Sequence, residues 1–190
     1  MSRSTHLPLS TPMHRARPCR RALLIAALLA AGAVHAAPWT SIGSAGIVDE
    51  GSVNLVDFMN GEARIRSNAA AGSTLTLRYN LVALAGVETA SSFNWQVRFR
   101  DNGGAARVRL YLRRYNSNGT TSTLATFDSD QFAANSGYQT QTVCINTSLA
   151  FNNGPVYIEA QLLKSGDAGT PALGTIGLMP RTTLCPVIVG

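Results

Sequence analysis

Phe93-Asn94-Trp95-Gln96-Val97-Arg98-Phe99-Arg100-Asp101, then Asn102-Gly103, then Gly104-Ala105-Ala106-Arg107-Val108-Arg109-Leu110-Tyr111-Leu112, is the stretch on which the reading of this chain turns. Both arms alternate apolar with polar residues, the period of a half-buried β-strand. Asn-Gly between two such arms signals a hairpin, because a type I′ turn needs φ > 0 at both central positions. A two-residue turn predicts that Phe99 pairs with Ala106, Val97 with Val108, Trp95 with Leu110 and Phe93 with Leu112, all on one face. The other face then collects Arg98, Arg100, Arg107, Arg109 and Tyr111, with Arg98 directly opposite Arg107.

The alternation continues on both sides. Thr74–Leu84 reads as a strand with Leu75, Leu77, Tyr79 and Leu81 turned inward, and Pro155–Leu163 as another with Val156, Ile158, Ala160 and Leu162 inward. Asn60-Gly61 is a second hairpin signal, joining Val53–Phe58 to Glu62–Arg66. Thr121–Phe127 and Tyr138–Ile145 add strands, and Asp128-Ser129-Asp130 opens a loop with room for one helical turn. Ala172–Leu178 reads as a last, weak strand, because Gly174 and Gly177 offer no side chain to pack. No stretch after the N-terminal segment sustains a 3.6-residue apolar period. Eight or nine short strands separated by turn signals predict a single-domain antiparallel β-sandwich, jelly-roll or Ig-like.

The first residues read as a targeting segment. Arg15, Arg17, Arg20 and Arg21 precede the apolar run Ala22–Val34, which is too short to span a bilayer, and Val34-His35-Ala36 offers small residues for a signal peptidase. A signal peptide over residues 1–36 and a mature domain over 37–190 are predicted, exported to the periplasm or beyond, with no transmembrane segment in the mature chain. Five of the 16 lysines and arginines lie upstream of the cut and no acid does, which leaves 11 basic against 10 acidic residues. The whole-chain basicity is therefore a property of the leader, and bulk charge gives no reason to expect a nucleic-acid partner.

The same cut decides the chemistry. All three histidines (His6, His14 and His35) lie upstream. A mature chain without histidine has no Ser-His-Asp or Cys-His arrangement and no His/Cys zinc site, so the chain reads as a non-enzyme with no cofactor. In an oxidising compartment Cys144 and Cys185 are expected to form a disulfide. A carboxylate-dependent polysaccharide hydrolase is the remaining catalytic alternative.

The arginine face asks for an explanation, since like charges directly opposite one another destabilise a sheet. One reading is an anionic partner: an acidic polysaccharide, a lipopolysaccharide head group or another exported protein of acidic character. Arg98, Arg100, Arg107 and Arg109 would supply bidentate contacts, and Tyr111 an exposed ring for a glycan. The other reading is pairing with Asp128, Asp130, Glu159 or Glu88 on neighbouring strands. Tyr115, Tyr138 and Tyr157 are further candidate outward rings. Asp128 and Asp130 are weak candidates for a structural calcium. A different class of function, a structural or assembly subunit of a cell-surface structure, would use an exposed edge strand or the apolar tail Val187-Ile188-Val189.

Trp39 through Glu50, Arg98-Phe99-Arg100-Asp101-Asn102-Gly103 and Thr126-Phe127-Asp128-Ser129 together resemble a set of small exported proteins of Gram-negative bacteria that carry no assigned function. The resemblance implies export and a β-sandwich, and it brings no activity, ligand or site residues. The chain is also similar to pilus subunits in size and in its single disulfide. It departs from them in having both cysteines late and Val189 where such subunits carry a penultimate tyrosine.

Overall fold

In the computed structural model, which describes residues 37–84 and 86–186, the alternating stretches become eleven strands. They are β1 (Trp39–Ile42), β2 (Ile47–Val48), β3 (Val56–Met59), β4 (Glu62–Ile65), β5 (Ser73–Asn80), β6 (Ser92–Asp101), β7 (Ala106–Tyr115), β8 (Thr121–Asp128), β9 (Asn135–Asn146), β10 (Val156–Lys164) and β11 (Ala172–Pro180). The predicted signal segment 1–36 and tail residues 187–190 lie outside the described residues. A six-stranded front sheet runs β3-β4-β11-β6-β9, with β1 also paired to β11; a five-stranded back sheet runs β2-β5-β10-β7-β8. From β4 to β11 the chain changes sheet at every connection except β7 to β8. That makes the sandwich a jelly roll rather than an Ig-like arrangement.

The central hairpin is corrected. β6 pairs with β11 and β9 in the front sheet, and β7 pairs with β10 and β8 in the back sheet. The predicted partners Phe99 and Ala106, Val97 and Val108, Trp95 and Leu110, Phe93 and Leu112 belong to opposite layers of one core, and all eight are buried. Alternation cannot separate the two cases, because a hairpin and an arch between layers both turn every second residue inward. The backbone separates them. Among described non-glycine residues only Asn60 and Ala150 have positive φ; Gly103 has φ 96° but Asn102 does not share it, so no type I′ turn forms there. Asn60 (φ 54°) and Gly61 (φ 83°) do satisfy that requirement, and β3–β4 is the hairpin predicted there, except that Val53–Leu55 of the expected first arm belong to a 3-10 helix, Glu50–Leu55.

Side chains hold the arch instead. Asn102 Nδ2 donates to the Ala168 carbonyl at 2.8 Å, and its Oδ1 accepts from the Thr170 N–H at 2.9 Å. Asp101 is buried and accepts from the Gly103 N–H at 2.9 Å and from the Ser129 hydroxyl. Ser129 Oγ in turn accepts from the Val108 N–H at 2.8 Å. One carboxylate thus ties the end of β6 to the start of β7 and to the turn after β8. Residues 102–105 extend to about 13 Å, enough to cross the ~10 Å between packed layers.

The predicted last strand forms, as β11. It is a central strand, flanked by β6 on one side and by β4 and then β1 on the other. Gly43 sits at the seam where β4 gives way to β1, and a Cβ there would lie 2.0 Å from the Leu173 carbonyl oxygen. Tyr79, whose phenol burial pushes well above its ordinary pKa, donates to the Gly43 carbonyl at 2.6 Å and pins that turn.

The core joins Trp95, Phe99 and Phe127, with Phe127 edge-on to Phe99 at 5.4 Å. At the front sheet's edge Cys144 of β9 is bonded to Cys185, as the sequence predicts, and the Cys185 N–H donates to Asn146 Oδ1 at 2.8 Å.

Asp101→Ala strands the Ser129 hydroxyl and the Gly103 N–H, and should lower the unfolding free energy by about 2–3 kcal/mol in urea titration. Replacing both cysteines by serine reopens a loop with a sequence separation of 41 and should cost about 4 kcal/mol in the same assay on the chain-entropy model.

Candidate functional site

Because β6 and β7 lie in different layers, the five residues expected on one face are split between two. Arg98 and Arg100 emerge on the outside of the front sheet, where Arg98 neighbours Thr140 and Thr175. Arg107, Arg109 and Tyr111 emerge on the outside of the back sheet, where Arg107 neighbours Leu163. The predicted opposition of Arg98 and Arg107 does not exist.

The back face is electrically closed. Arg107 binds Asp128 in a bidentate pair, and its Nε lies 2.8 Å from Asp130. Arg109 reaches Asp128 at 3.3 Å, Arg113 reaches Glu159 at 3.2 Å, and Arg78 reaches Asp49 at 2.7 Å. Arg113 also lies over the Tyr111 ring at 4.8 Å. The pairing read from the sequence as the alternative to an anionic partner is what this face does. Asp128 and Asp130, the calcium candidates, are engaged by guanidinium groups. Among the described residues no group of three or more His, Cys, Asp or Glu side chains could hold a metal ion. Burial acts to raise the Asp128 carboxyl, but the hydrogen bond from Arg107, the Asp130 N–H and the charges of Arg107 and Arg109 together hold it below the usual carboxylate range.

The front face is built differently. Its central strand β11 presents Ala172, Gly174, Thr175 and Gly177 outward, so a trough runs along it with short side chains as its floor. Arg100, Arg98 and Gln96 of β6 form one wall; Arg64 and Glu62 of β4, then Ile42 and Thr40 of β1, form the other. A hollow of about 360 Å³ at one end is lined by Thr40, Ile42, Gln96, Thr175 and Gly177. A second, of about 250 Å³, is lined by Asp57, Arg64, Ser67, Arg100 and Thr170. Arg98 lies across Gly174 between them: a Cβ on that glycine would meet its Nη1 at 3.1 Å.

Charge on this face is only partly compensated. Arg64 binds Asp57 at 3.0 Å, but the nearest carboxylate to Arg98 is Glu62, at 3.9 Å. Arg100 donates from Nε to the Thr170 carbonyl at 2.9 Å and has no carboxylate partner among the described residues. Both guanidinium groups gather on the Tyr138 ring, Arg98 at 4.4 Å and Arg100 at 5.6 Å from its centroid. The Tyr138 hydroxyl is buried without a hydrogen-bond partner, and burial, followed by the Glu62 carboxylate, pushes its pKa up to about 12. The ring is therefore a neutral platform that holds two cations side by side.

Of the predicted residues, Arg98 and Arg100 belong to this site, while Arg107, Arg109 and Tyr111 do not. Sequence reasoning missed Arg64 and Glu62 as members and took Tyr138 only as one of several candidate outward rings. The glycines of β11 were the available signal, since glycine inside a strand marks a place where something approaches the backbone closely.

No family model matches the chain, and no curated protein does. Among solved structures it is similar to the xylan-binding module CBM15, with a TM-score of 0.49 and 11% identity over 79% of this chain and 99% of that one. It is also similar to the CBM36-1 domain of a multidomain xylanase from the hindgut metagenome of Trinervitermes trinervoides, with a TM-score of 0.49 and 11% identity over 77% of this chain and 100% of that one. A third is CBM6cm-2 from Cellvibrio mixtus lichenase 5A in complex with cellotriose, with a TM-score of 0.43 and 15% identity over 76% of this chain and 98% of that one. These are likenesses of β-sandwich layout at low identity, and the chemistry of the trough rests on its own side chains.

A depressed carboxyl pKa adds stability that is complete above the unfolded-state pKa and is lost as pH falls through the folded-state value. Asp128→Asn should therefore lower the urea midpoint at neutral pH and flatten its fall on acidification, and the two proteins should converge once Asp128 is protonated in both states.

Proposed function

We propose that this protein is an exported, non-catalytic binding module that takes an extended acidic glycan in the front-sheet trough. The observation that carries the proposal is the contrast between the two faces. Every arginine that reaches across the back face meets an acid within 3.3 Å, whereas Arg100 meets none and Arg98 meets one only at 3.9 Å. Two preorganised guanidinium groups on one ring suit carboxylates or sulfates spaced along a polymer. Gln96 and Thr40 offer partners to sugar hydroxyls, and the exposed Ile42 offers an apolar surface to a ring's C–H face. A trough with a hollow at each end fits a chain of sugars better than a single one.

The placement of the acids supports the non-catalytic reading. Asp49, Asp57, Glu62, Asp128, Asp130 and Glu159 all face arginines, and Asp101 is buried in the arch. A glycosidase needs a pair of carboxyls free to flank the scissile bond, and these carboxylates are engaged in ion pairs instead. Export is supported by the disulfide, which persists in oxidising compartments. No helix among the described residues is long and apolar enough to cross a membrane. The assembly-subunit reading places its weight on Val187-Ile188-Val189, outside the described residues.

Polygalacturonate binding, followed by calorimetry, should weaken steeply with added salt and be abolished by Arg98→Glu with Arg100→Glu. Arg78→Gln, on the back face, should leave it unchanged. Binding that ignores both salt and the double charge reversal would remove the trough from consideration.

A further inference from the structure

The end of the sandwich opposite the 102–105 arch carries a cleft with a different chemistry. It has a volume of about 610 Å³ and lies between the β7–β8 turn and the loop before β10. Tyr115, Asn116, Asn118, Asn152, Asn153 and Gly154 line it, and no charged side chain does. Tyr115, the last residue of β7, is 51% exposed, and its hydroxyl lies 3.7 Å from where a Cβ on Gly119 would stand. The ring is thus held along the turn with part of its surface open to solvent.

The walls are fixed before any ligand arrives. Asn116 Nδ2 donates to Thr120 Oγ1 at 3.1 Å and to Ser122 Oγ at 2.8 Å, and Asn118 Oδ1 accepts from the Thr120 N–H at 3.1 Å. Across the cleft the loop is drawn onto β7 by the Tyr115 N–H, which donates to the Pro155 carbonyl at 3.0 Å. Gly154 allows this approach: it has φ 132°, and a Cβ there would stand 2.1 Å from the Tyr115 carbonyl oxygen. Ala150, at φ 21°, adopts a backbone that non-glycine residues rarely take, just before the turn Phe151–Asn153. Arg114, whose Cγ lies 3.7 Å from where a Cβ on Gly154 would stand, is not among the lining residues, and its guanidinium donates to the Ser148 carbonyl at 3.1 Å.

Asn152 and Asn153 are exposed, and among the described residues neither side chain is hydrogen-bonded. Each amide is at once donor and acceptor, which matches a hydroxyl that must do both. A half-open phenol ring beside two free amides, in an uncharged cleft of ligand size, is the chemistry of a neutral sugar ring. We infer that this cleft is a second binding site, for an uncharged pyranose unit, with the sugar face on Tyr115 and its hydroxyls on Asn152 and Asn153. The inference is independent of the trough and survives its failure.

The test is a ¹⁵N-resolved NMR titration of the purified, disulfide-bonded protein with three neutral probes, cellohexaose, xylohexaose and laminarihexaose. At least one should shift the Asn152 and Asn153 side-chain amides together with the Tyr115 backbone, with an affinity indifferent to salt. Tyr115→Ala, and separately Asn152→Ala with Asn153→Ala, should each weaken it roughly tenfold, and Arg98→Glu with Arg100→Glu should leave it intact. Urea midpoints matching the parent protein show that the variants fold. Absence of shifts at these residues with all three probes overturns the inference. So do shifts confined to the trough, or shifts that persist unchanged in both cleft variants.

Discussion

Four residues, 102–105, carry the chain from one layer to the other, and the rest of the molecule depends on that crossing. Phe93, Trp95, Val97 and Phe99 can meet Val108, Leu110 and Leu112 face to face only if β6 and β7 belong to different sheets. The buried Asp101 carboxylate makes the crossing specific. It is bonded to the Ser129 hydroxyl and the Gly103 N–H, and Ser129 receives the Val108 N–H of β7. Breaking such a network leaves polar groups unsatisfied inside the protein, which costs more than the bonds contribute when made.

The crossing also sorts the charges. Alternation turns Arg98, Arg100, Arg107 and Arg109 outward on any arrangement, but the arch sends the first two to one side of the sandwich and the last two to the other. On the back face the neighbouring strand β8 ends in Asp128, directly beside Arg109, and the turn after it supplies Asp130, so the positive charge is met locally. On the front face the neighbours of β6 are β9, with threonine and tyrosine, and β11, with alanine, glycine and threonine. Nothing of opposite charge stands next to Arg98 or Arg100 on either strand. Their only partly compensated charge follows from strand order, and it is what separates a candidate binding surface from a solvated sheet face.

β11 shows the same logic in its glycines. In isolation Gly174 and Gly177 weaken a strand, and the segment reads as a weak one. Flanked by β6, β4 and β1, the strand is stabilised by its neighbours, and its missing side chains become the floor of a trough. The site could be half seen in advance: Arg98 and Arg100 were identifiable by type and spacing. Arg64 and Glu62 were not, because they stand beside Arg98 and Arg100 only across β11, and that adjacency is not a local property of the chain.

Period-two alternation and Asn60-Gly61 were enough for the sequence alone to determine an all-β sandwich and its inward residues, because each depends on a short-range steric preference or on which side chains avoid water, and the disulfide followed from the two cysteines left after the leader. Tertiary structure alone decided which strands are neighbours. A hairpin and an arch bury the same residues at nearly the same local cost, and the choice between them rests on long-range hydrogen bonds from Asp101 and Asn102 to segments more than twenty residues away. The division of the arginines into a neutralised face and an open one was decided at that same step.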